Sequence, residues 1–328
     1  MTTTQPIRWG ILGTGRIAGV FAEGLKAQPD AQLVAVGSRS AESAQRFATQ
    51  YQVARAHASY EALANDPEVD AIYVATPHTG HMEESLRCIA AGKAVLCEKP
   101  FAVNAAQAKT MIDAAKAAKV PLMEAMWTRF LPSVRKVVSL INDGAIGDVR
   151  MIQSDFGFRT EVNPSGRLFD LNLAGGGLMD VGVYCVSLSV MLLGEVRTAT
   201  GIADIGSTGV DEQAAAVMGF DGGRIAYFST GVRTSTPWEA SIMGTEGWIR
   251  IESPFFASKK ITLHKGGKSE VIEVPFDGNG YHYEAAEVGR LIREGRIESD
   301  IMSWQDSMYV MEAMDRIRGV WGLRYPME

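Results

Sequence analysis

The residues best suited to chemistry begin with a glycine turn. Gly13-Thr14-Gly15-Arg16-Ile17-Ala18 fits G-x-G-x-x-A, with an apolar run before it and apolar residues at helical spacing after it. In that setting the pattern reads as a dinucleotide cradle and not as an ordinary glycine-rich turn. Gly13 permits the tight turn, Gly15 leaves the backbone open to a pyrophosphate, and Ala18 lets the helix pack close to the strand. The helix N-terminus adds unpaired N–H groups and a partial positive charge. At the end of the next strand an NAD site places a carboxylate for the ribose 2′-hydroxyl. Here the chain reads Val36-Gly37-Ser38-Arg39-Ser40. Ser38 and Arg39 suit a 2′-phosphate, and the guanidinium can also stack on adenine, so the sequence predicts NADP in preference to NAD.

Two further loops follow strands, where open α/β sheets bind ligands: Ala75-Thr76-Pro77-His78-Thr79-Gly80-His81 and Cys97-Glu98-Lys99-Pro100. His78 and His81 have a metal-like spacing, but no third ligand accompanies them, and loop or helix-cap roles are expected instead. Pro100 restricts Lys99 to an extended backbone and helps to aim its side chain. Asp180 precedes Tyr184 by four residues. On a helix this spacing puts both on one face. Trp127, Phe156 and Phe158 are candidates for an apolar wall against a sugar face or an aromatic diol, with core packing as the competing role. Arg129, Arg159 and Arg167 can serve a cofactor phosphate or an acidic substrate, or pair with Asp155 and Asp170.

The elements that must position these residues alternate in the first half. Apolar runs at 7–12, 33–36, 71–75, 94–97 and 121–125 read as strands, separated by helices near 15–27, 41–50, 81–90 and 104–118. This predicts βαβ units and a doubly wound parallel sheet. After about residue 147 short strands follow one another through turns such as Asp221-Gly222-Gly223 and Lys265-Gly266-Gly267, interrupted by a helix over 178–193 and closed by two helices. That pattern predicts a large, mostly antiparallel sheet. The expected fold class is α/β, with a dinucleotide-binding domain over 1–125 and a substrate-binding and dimerisation domain over 126–328.

Of the 328 residues 46% are hydrophobic and 21% charged, which excludes a disordered or collagen-like chain. The net charge of −6 offers no field for nucleic acid or an anionic membrane. Cys88, Cys97 and Cys185 are odd in number and lack C-x-x-C spacing, so neither a disulfide framework nor a thiolate zinc site is expected. The stretch from Met1 to Pro6 is short and polar and does not resemble a leader. No run of about 18 apolar residues is evident in the sequence. The expectation is a reduced, cytoplasmic, soluble protein without a metal.

Together, Gly13-Thr14-Gly15, Thr76-Pro77 with His81, Glu98-Lys99-Pro100 and Gly175-Gly176-Gly177-Leu178-Met179-Asp180-Val181-Gly182-Val183-Tyr184 resemble the Gfo/Idh/MocA family of oxidoreductases, in family order and across most of the chain. Glu124-Ala125-Met126-Trp127-Thr128-Arg129-Phe130 and Arg167-Leu168-Phe169-Asp170 are similar to the branch of dimeric dihydrodiol dehydrogenases and NADP-dependent D-xylose 1-dehydrogenases. Many members carry His where this chain has Tyr184, which argues against an inositol or glucose-6-phosphate type of substrate. The resemblance implies a Rossmann domain followed by an α/β domain whose open sheet mediates dimerisation. It implies hydride transfer between NAD(P) and a sugar, polyol or diol carbon. The family lysine falls on Lys99, beside nicotinamide and substrate, and the Thr76–His81 and Glu98–Lys99 loops become cofactor contacts. Tyr184 is then the acid/base group, with Lys99 as its electrostatic partner and Asp180 orienting a substrate hydroxyl; Lys99 as the base is the alternative. A non-catalytic NADP sensor and an NAD-linked aldose oxidoreductase with permanently bound cofactor are the competing functions.

Overall fold

The computed structural model describes residues 5–328, so Met1–Thr4 of the polar N-terminal stretch lie outside the described residues. Strong alternation in the first half builds β1 (Ile7–Leu12), α1 (Arg16–Leu25), β2 (Ala31–Gly37), α2 (Ala41–Tyr51), β3 (Arg55–His57), α3 (Tyr60–Ala64), β4 (Ala71–Val74), α4 (His81–Ala90), β5 (Ala94–Glu98), α5 (Ala105–Ala118) and β6 (Leu122–Ala125). The six strands are all parallel, in the order β3-β2-β1-β4-β5-β6. Every residue of β4 and β5 is buried, as strands covered on both faces require. The order reverses between β1 and β4, and open α/β sheets bind ligands beyond the strand ends at such a reversal. Phe21 of α1 stacks on Tyr73 of β4 at 3.8 Å and meets Trp9 of β1 edge-on at 5.4 Å. These contacts fix the first helix to the sheet.

The second half begins with α6 (Pro132–Asn142) and β7 (Val149–Gly157). A π-turn, Leu178–Gly182, leads directly into α7 (Val183–Leu193). Strands β8 (Thr198–Ile205), β9 (Asp211–Phe220), β10 (Arg224–Gly231), β11 (Ala240–Gly244), β12 (Gly247–Ile251), β13 (Lys260–Lys265) and β14 (Lys268–Glu273) follow. They form an eight-stranded sheet in the order β14-β13-β12-β11-β7-β10-β9-β8, antiparallel except where β7 runs parallel to β10. Helix α7 packs against β7 and β10 and is buried on almost every side. Contrary to the sequence expectation, the segment Leu171–Leu193 is long and apolar enough to cross a membrane by length and composition, but 89% of it is buried inside the fold, as suits a core helix. The chain ends in α8 (His282–Glu294) and α9 (Trp304–Trp321).

Two compact units result. One holds the residues up to Ala102 with Ala106–Trp127 and Asp277–Ser307; the other holds Val103–Ala105, Thr128–Phe276 and Met308–Glu328. A single split at residue 125 does not capture this, because α8 returns to the first unit. Its buried face, including Ala285, Val288 and Leu291, packs on α1, β2 and β5. Elements β3, α3 and α6 are additional to those the sequence predicts. The first two have only three and five residues, too few for a periodic signal.

Candidate active site

In the first unit the glycine turn has the shape a phosphate needs. Gly13 has φ +111°, and a Cβ there would lie 2.7 Å from the Ala75 carbonyl oxygen, so only glycine closes the turn against the end of β4. Gly15 is the opposite case: it is exposed, and a Cβ would meet nothing within 4 Å. No side chain caps α1 and no acidic residue sits in its first turn. The amides of Arg16 and Ile17 therefore begin a helix whose positive end is left to an anion. Thr14 is half-buried beside them. These features fit a dinucleotide pyrophosphate.

Past β2, Ser38 is buried and its hydroxyl accepts from the Ser40 amide at 3.3 Å, while Arg39 is exposed. Tyr60, at the start of α3, is a neighbour the sequence did not reveal. Burial pushes its phenol up, and the Arg39 guanidinium, hydrogen-bonded to it, opposes that rise. The guanidinium is thereby tethered beside α3.

The loops after β4 and β5 are tied together by His81. It is fully buried, with Nδ1 at 2.8 Å from the Pro100 carbonyl and Nε2 at 3.0 Å from the Thr76 carbonyl. Burial lowers its pKa to about 4, and the Lys99 charge adds to that, against the pull of the two carbonyls. A neutral ring carries one N–H and donates to only one of these carbonyls at a time, so His81 packs as a brace between the two loops, in keeping with the loop role expected for it. The His78 ring meets it edge-on at 5.8 Å. Thr76 and His78 are half-buried and Pro77 is exposed. Glu98 is also an internal anchor: its carboxylate accepts from the Tyr73 hydroxyl and, at 3.1 Å, from the Lys99 amide. Beneath it Glu284 is fully buried, and burial first, then the Glu98 charge, holds its pKa well above the carboxylate range. Lys99 itself is only half-buried, on a backbone fixed from below.

In the second unit Asp180 lies in the π-turn and Tyr184 in the first turn of α7. Asp180 is 6% exposed, and its carboxylate pairs with Arg167 at 2.6 Å. Tyr184 is 7% exposed, its ring 5.4 Å from Phe156 and 5.9 Å from Phe256. Phe156 stacks flat on Phe256 at 4.1 Å, and Trp238 closes on both. Asp155 holds Trp238 by accepting its backbone N–H at 2.7 Å.

The remaining candidate residues fall in several different settings. Asp155 accepts from the Trp238 amide and Asp170 caps a turn at Asn172, and among the described residues no ion pair joins either to an arginine. Arg129 is buried and donates to the Ser187 hydroxyl and carbonyl, bracing α7. Arg159 is exposed beside Glu161. Phe158 packs with Phe169, Val210 and Val232, a separate cluster from Phe156. Trp127 belongs to the first unit, stacked on Tyr281 at 4.6 Å. The aromatic composition alone did not distinguish these settings.

Comparisons with known proteins agree with this geometry. A family model described as "Oxidoreductase family, NAD-binding Rossmann fold" matches residues 7–126, and the GFO/IDH/MocA C-terminal domain matches 134–250. The trans-1,2-dihydrobenzene-1,2-diol dehydrogenase of Xenopus tropicalis is 37% identical, covering 97% of this chain and 99% of that protein. The human protein of that name is 34% identical, covering 98% and 99%. Among solved structures, an aldose-aldose oxidoreductase from Caulobacter crescentus complexed with glycerol superposes with a TM-score of 0.87 at 25% identity, covering 96% of this chain and 97% of that one. A 3-ketoreductase from Actinomadura kijaniata, in complex with NADP and TDP-benzene, shares the fold with a TM-score of 0.86 at 24% identity, covering 97% and 98%. With the phosphate turn, the braced lysine loop and the Asp180–Tyr184 helix in place, the chain belongs to the Gfo/Idh/MocA family and is an NAD(P)-dependent dehydrogenase.

Proposed function

We propose that the chain uses NADP to interconvert a hydroxyl and a carbonyl carbon on a cyclic diol or an aldose. The observation that carries the substrate class is the aromatic wall of Phe156, Phe256 and Trp238 around Tyr184. Such faces bury the apolar side of a ring while the phenol and the Asp180 carboxylate meet its hydroxyls. The names of the dihydrodiol dehydrogenase relatives support the diol reading. The likeness to an aldose-aldose oxidoreductase supports the sugar reading. A purified protein that retains its coenzyme through gel filtration favours the second.

When bound, the coenzyme supplies the hydride acceptor or donor. The protein's task is the proton and the alignment. Tyr184 accepts the hydroxyl proton; a free phenol titrates near pH 10, so it needs a cation to act at neutral pH. In this reading Lys99 supplies that charge and hydrogen-bonds the reacting oxygen, and Asp180, oriented by Arg167, holds a second hydroxyl. Lys99 as the base is the competing assignment. Turnover in Lys99→Met and Tyr184→Phe should each fall by about 10²–10⁴ with NADP affinity kept. Wild-type turnover in either variant removes that residue from the mechanism.

Ser38 and Arg39 support the choice of NADP. Arg39→Ala should weaken NADP at least about tenfold and leave NAD nearly unchanged, as loss of a charge-assisted phosphate contact requires. Equal effects on both coenzymes in a fluorescence titration contradict the assignment.

The open sheet supports a homodimer. Its outer face exposes Met151, Val217, Ile225 and Tyr227, and Ile202 is 79% exposed. A contiguous apolar face of this kind is commonly covered by a symmetric copy. Light scattering should report a dimer, and a monomer mass refutes the proposal. The three buried free cysteines are compatible with the proposed reducing, cytoplasmic compartment.

A further inference from the structure

The helix that carries Asp180 and Tyr184 has no cap of its own. Gly177, just before the π-turn, has no side chain to offer and makes no capping hydrogen bond. The acceptor comes from the sheet instead. The Leu178 N–H donates to Asp211 Oδ2 at 2.7 Å, across 33 residues of sequence. Asp211 is the first residue of β9 and is fully buried.

The glycines ahead of the helix are shaped around this carboxyl. Gly176 has φ +112°, and a Cβ there would lie 2.0 Å from Asp211 Oδ1; a Cβ on Gly177 would lie 3.4 Å from Oδ2. From the other side the Tyr325 hydroxyl donates to the Gly175 carbonyl at 2.8 Å. The Gly175–Gly177 turn is therefore clamped at both ends, and near neutral pH only the Asp211 clamp changes charge, because burial holds the Tyr325 phenol well above its ordinary value. Burial pushes Asp211 up to about 7, opposed by the backbone amides it accepts from and by the Arg318 charge. The ionisable groups around it are Arg318 of α9, itself held by Asp315 and Glu328, and Tyr325. The Glu212–Arg233 pair lies next along β9.

A neutral apolar residue would fill this space but leave a buried amide without an acceptor, which the fold avoids. A carboxylate at a helix N-terminus also opposes the partial positive charge there. We propose that Asp211 is a positioning residue for the reaction: it caps the helix from the sheet and so holds Asp180 and Tyr184 in place. This rests on the roles given above to Asp180 and Tyr184. A carboxylate is the stronger acceptor, so the cap weakens as Asp211 takes a proton.

The test uses the full chain as wild type, Asp211→Ala and Asp211→Asn. Hydrogen exchange reads the amides of 177–182, and turnover is followed against pH with NADP affinity measured separately. In Asp211→Ala those amides should exchange about tenfold faster and kcat should fall about tenfold, with NADP affinity unchanged, the usual effect of losing a cap. In wild type kcat should fall as the pH drops through about 7. Asp211→Asn keeps an acceptor but no charge, so it should lose the share of that limb that Asp211 contributes, keep the share that belongs to the proton acceptor, and come nearest to wild type at the acid end. Unchanged exchange over 177–182 in Asp211→Ala, or faster exchange with unchanged kcat, overturns the proposal. If Asp211→Ala does not fold, an Asp211→Asn pH profile identical to wild type overturns it. Wild-type turnover in Tyr184→Phe overturns instead the assignment of Tyr184 and leaves the exchange result standing.

Discussion

A phosphate is held best by backbone amides, and amides can be offered to a ligand only where side chains stand aside. In this chain the turn before α1 meets that condition. Gly13 adopts a backbone angle closed to other residues and seats the turn against β4. Gly15 leaves the space in front of α1 open. Everything else in the first unit serves that opening. Trp9, Phe21 and Tyr73 lock α1 to the sheet, and the strand order reverses beside it. His81 then ties the two loops that flank the expected nicotinamide position, one of which ends in Lys99.

The second unit solves a different problem. Tyr184 and Asp180, the residues proposed for the chemistry, stand on a π-turn and helix buried on almost every side. Burial leaves the backbone at the helix start without water, so the amides there need acceptors from within the protein. The sheet supplies one through Asp211, and Arg129 braces the helix one turn beyond Tyr184 through Ser187. The π-turn over Leu178–Gly182 lies at this junction, in keeping with the frequent occurrence of such turns at functional sites. Arg167 reaches in from an exposed position to pair with Asp180, so the carboxylate is oriented without being sealed from a ligand.

What could be read from the sequence was local. The G-x-G-x-x-A turn, the Asp180–Tyr184 spacing and the alternation of strands with helices each lie within a few residues of chain, where period and spacing carry the signal. What could not be read was contact between distant residues. Nothing near Asp180 announces Arg167 as its partner; the sequence leaves Arg167 open to a phosphate, an acidic substrate or Asp155 and Asp170, whose carboxylates serve backbone amides. Phe156 and Phe158 are two residues apart and look alike as candidates, yet one joins the aromatic wall and the other a separate cluster. His81 carried a ligand-like spacing, but burial between two carbonyls gives it a bracing role. The return of α8 to the first unit is likewise a matter of packing, not of local pattern.

The account stands on the opening at Gly15. Calorimetric titration of NADP into wild type and Gly15→Val tests it directly, since a Cβ there meets nothing within 4 Å and the added side chain projects into the opening proposed for phosphate. With the fold intact by circular dichroism, affinity should drop at least about tenfold, in line with the loss of one or more charge-assisted hydrogen bonds. Equal affinity in the two proteins would mean that the coenzyme binds elsewhere.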